Sequence, residues 1–303
     1  MSDVHHQTPI IDAHQHFWSL DQNPYPWLQD PEPIPFRYGD YSALKRNYLP
    51  GDLRQDIGSY RVVKTVHIEA EWDRANPVAE TEWLRDLSHQ EGLPTACVAH
   101  AALDRSDAPE TLRRQASFPI VRGIRHKPAA AATPGEARRG APGSMDDPQW
   151  RKGYAILGEL GLSFDLQTPW WHLNAAADLA QDFPNTQIIV NHTGLPADRS
   201  PEGLAAWRRA LELASAAPNI AIKISGLGQK GRPWLIEENA PVIRDAIAIF
   251  GTSRSMFASN YPVDSLVASY ETILTGFMAA ISDYRLAEQR SLLHDNAERI
   301  YRL

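Results

Sequence analysis

One cysteine in 303 residues leaves no internal disulfide to form. Cys97 sits between Ala96 and Val98 in an apolar run, so it reads as a buried, unreactive thiol rather than a nucleophile. No run of about 18 apolar residues occurs, which excludes a membrane-spanning helix. A formal charge of −7 leaves no basic face for nucleic acid or anionic membranes. The segment Met1 to Thr8 is polar and has no apolar signal core. These absences point to a soluble, cytoplasmic protein that acts on a small molecule, with a homo-oligomer left open.

A glycine-rich phosphate turn is also missing after the first apolar run. That position reads His14-Gln15-His16-Phe17-Trp18, which disfavours a doubly wound open sheet. Eight short apolar runs recur along the chain. They are 10–14, 62–70, 95–101, 121–126, 162–168, 187–192, 220–225 and 255–260. Helical stretches separate most of them, opened by Asn76-Pro77, Asp147-Pro148 and Ser200-Pro201, each a capping side chain before a proline. After Ser200, an apolar stripe of Leu204, Trp207, Leu211 and Ala214 marks one helix, and Pro184 ends another. Eight such units in one chain of this length predict a single (β/α)8 barrel over residues 1–303.

Two long connections, 17–53 and 128–145, interrupt the rhythm. The first is rich in proline and aromatics and reads as an aromatic wall. The second is rich in alanine, glycine and proline and reads either as a lid or as a tolerated insertion. Trp234 and Leu235 are assigned either to the pocket or to an interface.

In a barrel the C-terminal strand ends face the site. Histidine gathers there: His14, His16, His100, His126, His172 and His192, out of 11 in the chain. Along a strand His14 and His16 project one way, about 7 Å apart. Two neutral imidazoles so placed suit a divalent metal or an anionic substrate group. With His192 they suit a mononuclear site completed by a carboxylate and a water, and Glu69 is the strand 2 carboxylate expected to serve. Glu69 and Glu71 share a parity, whereas Arg125 and His126 have opposite parity, so only one of the latter pair faces inward. Arg125 and Lys127 bring positive charge. Trp18, Gln167 and His172 complete the expected substrate contacts.

The segments IDAHQHFW, RGIRH, LSFDLQ, VNHTGLP, KISGL and ASNYPVD resemble the amidohydrolase superfamily, in the branch of sugar-lactone hydrolases and 2-pyrone-4,6-dicarboxylate lactonase. The resemblance spans essentially the whole chain. It implies an amidohydrolase-type TIM-like barrel that hydrolyses a small polar lactone. It further implies that His14 and His16 bind metal or orient substrate. His192 would polarise the carbonyl, and Arg125 or His126 would contact the oxygen-rich part of the substrate. Metal use varies in this branch, so either one divalent ion, zinc favoured, or a metal-free site is expected.

One position departs from the pattern. Strand 8 commonly ends in an aspartate that acts as general base, and Asn260 stands there instead. An amide cannot accept that proton. Glu71, Glu69 or Asp264 is then expected as the base, with Glu71 preferred; a metal-bound water is the second reading. The third is chemistry other than hydrolysis, either a decarboxylase or hydratase of a small acid, or a barrel that only binds its ligand.

Overall fold

A computed structural model describes residues 8–303; the polar segment 1–7 lies outside the described residues. The eight apolar runs form eight parallel strands in sequence order. They are β1 (Ile10–Gln15), β2 (Val62–Ile68), β3 (Ala96–His100), β4 (Val121–Arg125), β5 (Ser163–Leu166), β6 (Ile188–Val190), β7 (Ile220–Ile224) and β8 (Ser255–Phe257). The segment after β8 returns to β1. Asn260 N–H donates to the His14 carbonyl at 2.8 Å, and His16 N–H donates to the Tyr261 carbonyl at 2.8 Å. The sheet thereby closes into a (β/α)8 barrel.

Strand alternation divides the apolar residues into two layers. Ile11, Val66, Ile68, Val98, Ile189, Ala221 and Met256 fill the interior, and Ala297, Ile300 and Tyr301 of the last helix join them. Ile10, Cys97, Ile124, Phe164, Val190, Ile222 and Phe257 face outward and pack under the helices. Cys97 is fully buried, and burial pushes its thiol pKa up, so the inert reading fits its surroundings.

The caps explain where the helices begin. Asp147 accepts from Gln149 N–H ahead of helix Pro148–Glu159. Ser200 accepts from Gly203 N–H ahead of helix Pro201–Ser215. Helix Val78–Glu91 starts one residue later than the Asn76-Pro77 pair suggests, because Pro77 is its cap and no side chain bonds there. Helix Leu173–Asp182 ends before Pro184, as expected.

Of the long connections, 17–53 is largely built into the body: Trp18, Tyr25, Tyr38, Tyr41 and Tyr48 are buried. Segment 128–145 packs differently. Ala131 N–H donates to His172 Nε2 at 2.9 Å, and Trp171 Nε1 donates to the Ala131 carbonyl at 3.1 Å. Trp234 is core, its ring lying over Gly276, where a Cβ would come within 2.3 Å of it; Leu235 is exposed.

Candidate active site

The pairing of β1 with β2 is irregular between Asp12 and Gln15. Such an irregularity re-aims side chains. Ile11 and Ala13 remain in the inner core, yet His14 and His16 also turn inward, their rings 5.0 Å apart. His192, from the turn after β6, lies 4.6 Å from His14, ring to ring. All three are buried.

Burial lowers the pKa of each imidazole well below the ordinary histidine value of 6.5. Nearby cations add to this: Lys223 at His14, Arg125 at His16, and Arg37 then Arg125 at His192. The cluster is neutral at neutral pH. Hydrogen bonds then set which nitrogen carries the proton. His16 Nδ1 donates to the Ile68 carbonyl at 2.7 Å, so its Nε2 keeps the lone pair. That lone pair faces Asn260 Oδ1 at 3.4 Å. The Lys223 ammonium lies 3.5 Å from His14 Nδ1 and can only donate, which leaves the hydrogen on His14 Nε2. His14 Nε2 is buried and has no partner. His192 Nδ1 pairs with Ser225 Oγ at 3.0 Å.

Below the imidazoles lies a buried ion pair. Lys223 Nζ donates to Asp165 Oδ1 at 2.5 Å; Asn191 Nδ2 and the Tyr301 hydroxyl donate to the same carboxylate. Burial lowers the Lys223 pKa to about 8 against the pull of Asp165. On the other wall, Arg125 Nε donates to Glu69 Oε1 at 2.7 Å and its Nη1 to Gln167 Oε1 at 3.1 Å. Arg74 Nη1 takes Glu69 Oε2 at 2.8 Å. Burial pushes the Glu69 pKa up, but Arg125 and Arg74 hold it well below the usual range.

Asn260 is itself held. Its Nδ2 donates to Asp264 Oδ1 at 2.6 Å, and that oxygen also accepts from the Tyr38 hydroxyl at 2.9 Å and Arg37 at 3.2 Å. Asn260, His192 and Glu71 adopt left-handed backbone, with φ of 57°, 52° and 60°. Strain of this kind concentrates at functional sites.

Part of this constellation opens on a cavity of about 360 Å³, while His14, Lys223, Glu69 and Asp264 lie behind its lining. His16, Arg125, Gln167, His192 and Asn260 line its polar side; Trp18, Trp27, Phe36 and Val263 form an apolar wall. Glu71 also lines it, with its carboxylate in ion pairs to Arg74 and Lys127. The expected Trp18, Arg125 and Gln167 are thus brought together. His126 and His172 are not. His126 accepts from Leu103 N–H at 3.0 Å and faces a neighbouring cleft. His172 follows the Pro169 turn and is taken by segment 128–145. No residue of 128–145 lines the cavity, so its reading as a lid over this site has no contact behind it.

Arg37, Lys223 and Ser225 are site residues whose roles sequence reasoning missed. Lys223 carried a signal, since a charged residue inside the apolar run Ile220–Ile224 has to be paired. Arg37 carried none, because it lies in an aperiodic loop.

The zinc expectation meets a chemical obstacle. Among the described residues no group of three His, Cys, Asp or Glu side chains is placed to hold a metal ion. Glu69, the expected carboxylate ligand, has one oxygen on Arg125 and the other on Arg74. The strand 8 position supplies an amide, and His14 presents a hydrogen rather than a lone pair. This set falls short of the three protein ligands of a catalytic zinc.

The comparisons agree with the architecture. A Sinorhizobium fredii protein named only as uncharacterized is 38% identical over 303 residues, covering 100% of both chains. The L-fucono-1,5-lactonase of Burkholderia multivorans is 28% identical over 308 residues, covering 97% of this chain and 96% of that one. The crystal structure of a Burkholderia multivorans amidohydrolase with bound zinc superposes with a TM-score of 0.80 at 25% identity, covering 97% of this chain and 99% of that one. The family model described as amidohydrolase matches residues 11–303, and this chain belongs to that family.

Proposed function

We propose that this chain hydrolyses a small polar lactone of the sugar-acid or dicarboxylic type. One observation carries the reading: a buried hydrogen-bond donor and a buried acceptor stand side by side on neighbouring neutral imidazoles. His14 Nε2–H has no partner, and His16 Nε2 holds a lone pair. Ester hydrolysis needs this pair, one group for the carbonyl oxygen as it becomes an oxyanion and one for the proton of the attacking water.

The lactone carbonyl oxygen enters past His192, which lines the cavity and whose ring lies 4.6 Å from that of His14, and accepts from His14 Nε2 behind that lining. Water sits on the cavity side of His16 Nε2 and Asn260 Oδ1, within reach of both. As it attacks the carbonyl carbon, its proton passes to His16 Nε2. The ring C–O bond then breaks, and the leaving alkoxide takes that proton back. Asn260 aims the water without taking its proton. Glu71, expected as the base, is held by two cations; burial and Glu69 push its pKa up, but Lys127 and Arg74 bring it below the usual value, so its proton affinity is small. The apolar wall of Trp18, Trp27 and Phe36 suits the C–H face of a ring whose hydroxyls meet Arg125 and Gln167. The L-fucono-1,5-lactonase relative supports the substrate class.

The test is a panel of aldonolactones and dicarboxylic lactones followed by acid release with a pH indicator. Acid release from at least one member is expected, and it should be lost in His16→Gln. Carbon dioxide release or an ultraviolet change without acid would instead indicate a decarboxylase or hydratase.

A further inference from the structure

Beside the catalytic cavity lies a second one of about 570 Å³, bounded by the loops after β1, β6 and β7. Four cations line it: Arg37, Arg199, Lys230 and Arg232. Asp198 is its one lining carboxylate, and it is turned to Ser200 N–H at 2.9 Å. Two of the cations are already paired, Arg37 with Asp264 at 3.2 Å and Arg232 with Glu238 at 2.5 Å. The other two, Arg199 and Lys230, have no carboxylate within ion-pair distance among the described residues.

Arg199 is the unusual member. Its Nη2 donates only to neutral oxygens, the Leu227 carbonyl at 3.1 Å and Asn239 Oδ1 at 3.4 Å. Its Nε and Nη1 are buried with no partner. Burial lowers its pKa to about 10 against the pull of Glu238, which lies beyond ion-pair distance and is already bound to Arg232. A desolvated cation with two idle donors is costly unless an anion completes it. Ser200, the cap of helix Pro201–Ser215, lines the same cavity.

We propose that this cavity is an oxyanion subsite that takes a phosphate or carboxylate group, with Arg199 and Lys230 as its principal ligands. Arg37 lines both cavities, so the subsite and the catalytic cavity share one wall. The proposal does not depend on lactone hydrolysis and is tested without turnover.

Inorganic phosphate is titrated into the full-length protein by calorimetry, against Arg199→Gln and Lys230→Gln. Lys230 is exposed, so its replacement leaves the fold intact and keeps the test valid if Arg199→Gln misfolds. Saturable binding of one phosphate is expected, weakened about tenfold or more in each folded variant and retained in His16→Gln. Citrate in place of phosphate separates a carboxylate preference from a phosphate one, and tight binding of either supports the subsite. Absence of saturable binding by both anions overturns the proposal. So does unchanged affinity in Lys230→Gln, or binding lost only in His16→Gln, which would place the anion in the catalytic cavity.

Discussion

His16 Nε2 and Asn260 Oδ1 face each other at 3.4 Å, and both are acceptors. Neither can turn away. His16 Nδ1 is bound to the Ile68 carbonyl, and the Asn260 amide is oriented by Asp264, whose facing oxygen already accepts from Tyr38 and Arg37. Two acceptors this close repel unless one donor bonds both, and a water on the cavity side of the pair can do so. Asn260→Ala removes one side of that cradle from a left-handed position and should lower kcat roughly 10²-fold with a smaller change in KM. Steady-state kinetics on the best lactone checks this, and unchanged kcat would remove Asn260 from the site.

Asn260→Asp tests the same pair by charge. The new carboxylate would meet Asp264 at hydrogen-bond distance, and two carboxylates so close cannot both ionise freely. Asp264 is already pushed up by burial, against Arg37. The variant should acquire an ionisation in its pH–rate profile, with activity rising with pH, that the wild type lacks.

The wild-type profile itself is expected to be flat through pH 6.5. All three imidazoles have folded pKa values below 6.5, so they stay neutral above it and protonate only well below. An acid limb centred at or above 6.5 would contradict this assignment.

Stability should follow the same groups with a definite sign. Burial lowers His67 to about 3 and His100 to about 4. In the unfolded chain each titrates near 6.5, so below that pH the unfolded state binds more protons. Stability is full above 6.5 and falls as pH drops toward the folded values. Urea midpoints measured between pH 7.5 and 4.5 should decline steadily below 6.5.

Glu69 and Glu71, two residues apart, should respond differently. Glu69→Gln leaves Arg125, a buried cation, without its partner and should cost about 3–5 kcal/mol. Glu71→Gln removes a partly exposed pair and should cost about 0–1 kcal/mol, with kcat reduced less than tenfold. A Glu71→Gln enzyme without turnover would restore Glu71 as the general base.

Much of this was legible because strand ends can be counted. Two histidines one residue apart after the first apolar run, and an asparagine seven strands later, fix the mouth of a barrel once the barrel is inferred. The opposite parity of Arg125 and His126 correctly separates a cavity residue from a neighbour. Legibility stopped where partners come from loops. Nothing near Glu69 announces that Arg74 folds back on it, and His172 follows a proline turn whose direction no periodicity sets. The β1 irregularity was equally hidden, since a regular strand would keep the two rings about 7 Å apart.

Asp12 accepts from His14 N–H, from Ser259 N–H and Oγ–H, and from the Tyr270 hydroxyl. One carboxylate thus ties the earliest strand to a segment nearly 250 residues downstream. The histidines beside it gain their geometry only when that distant segment arrives. A partly synthesised chain can therefore possess every imidazole of the mouth and still be inert, so catalysis reports that the cylinder has been sealed.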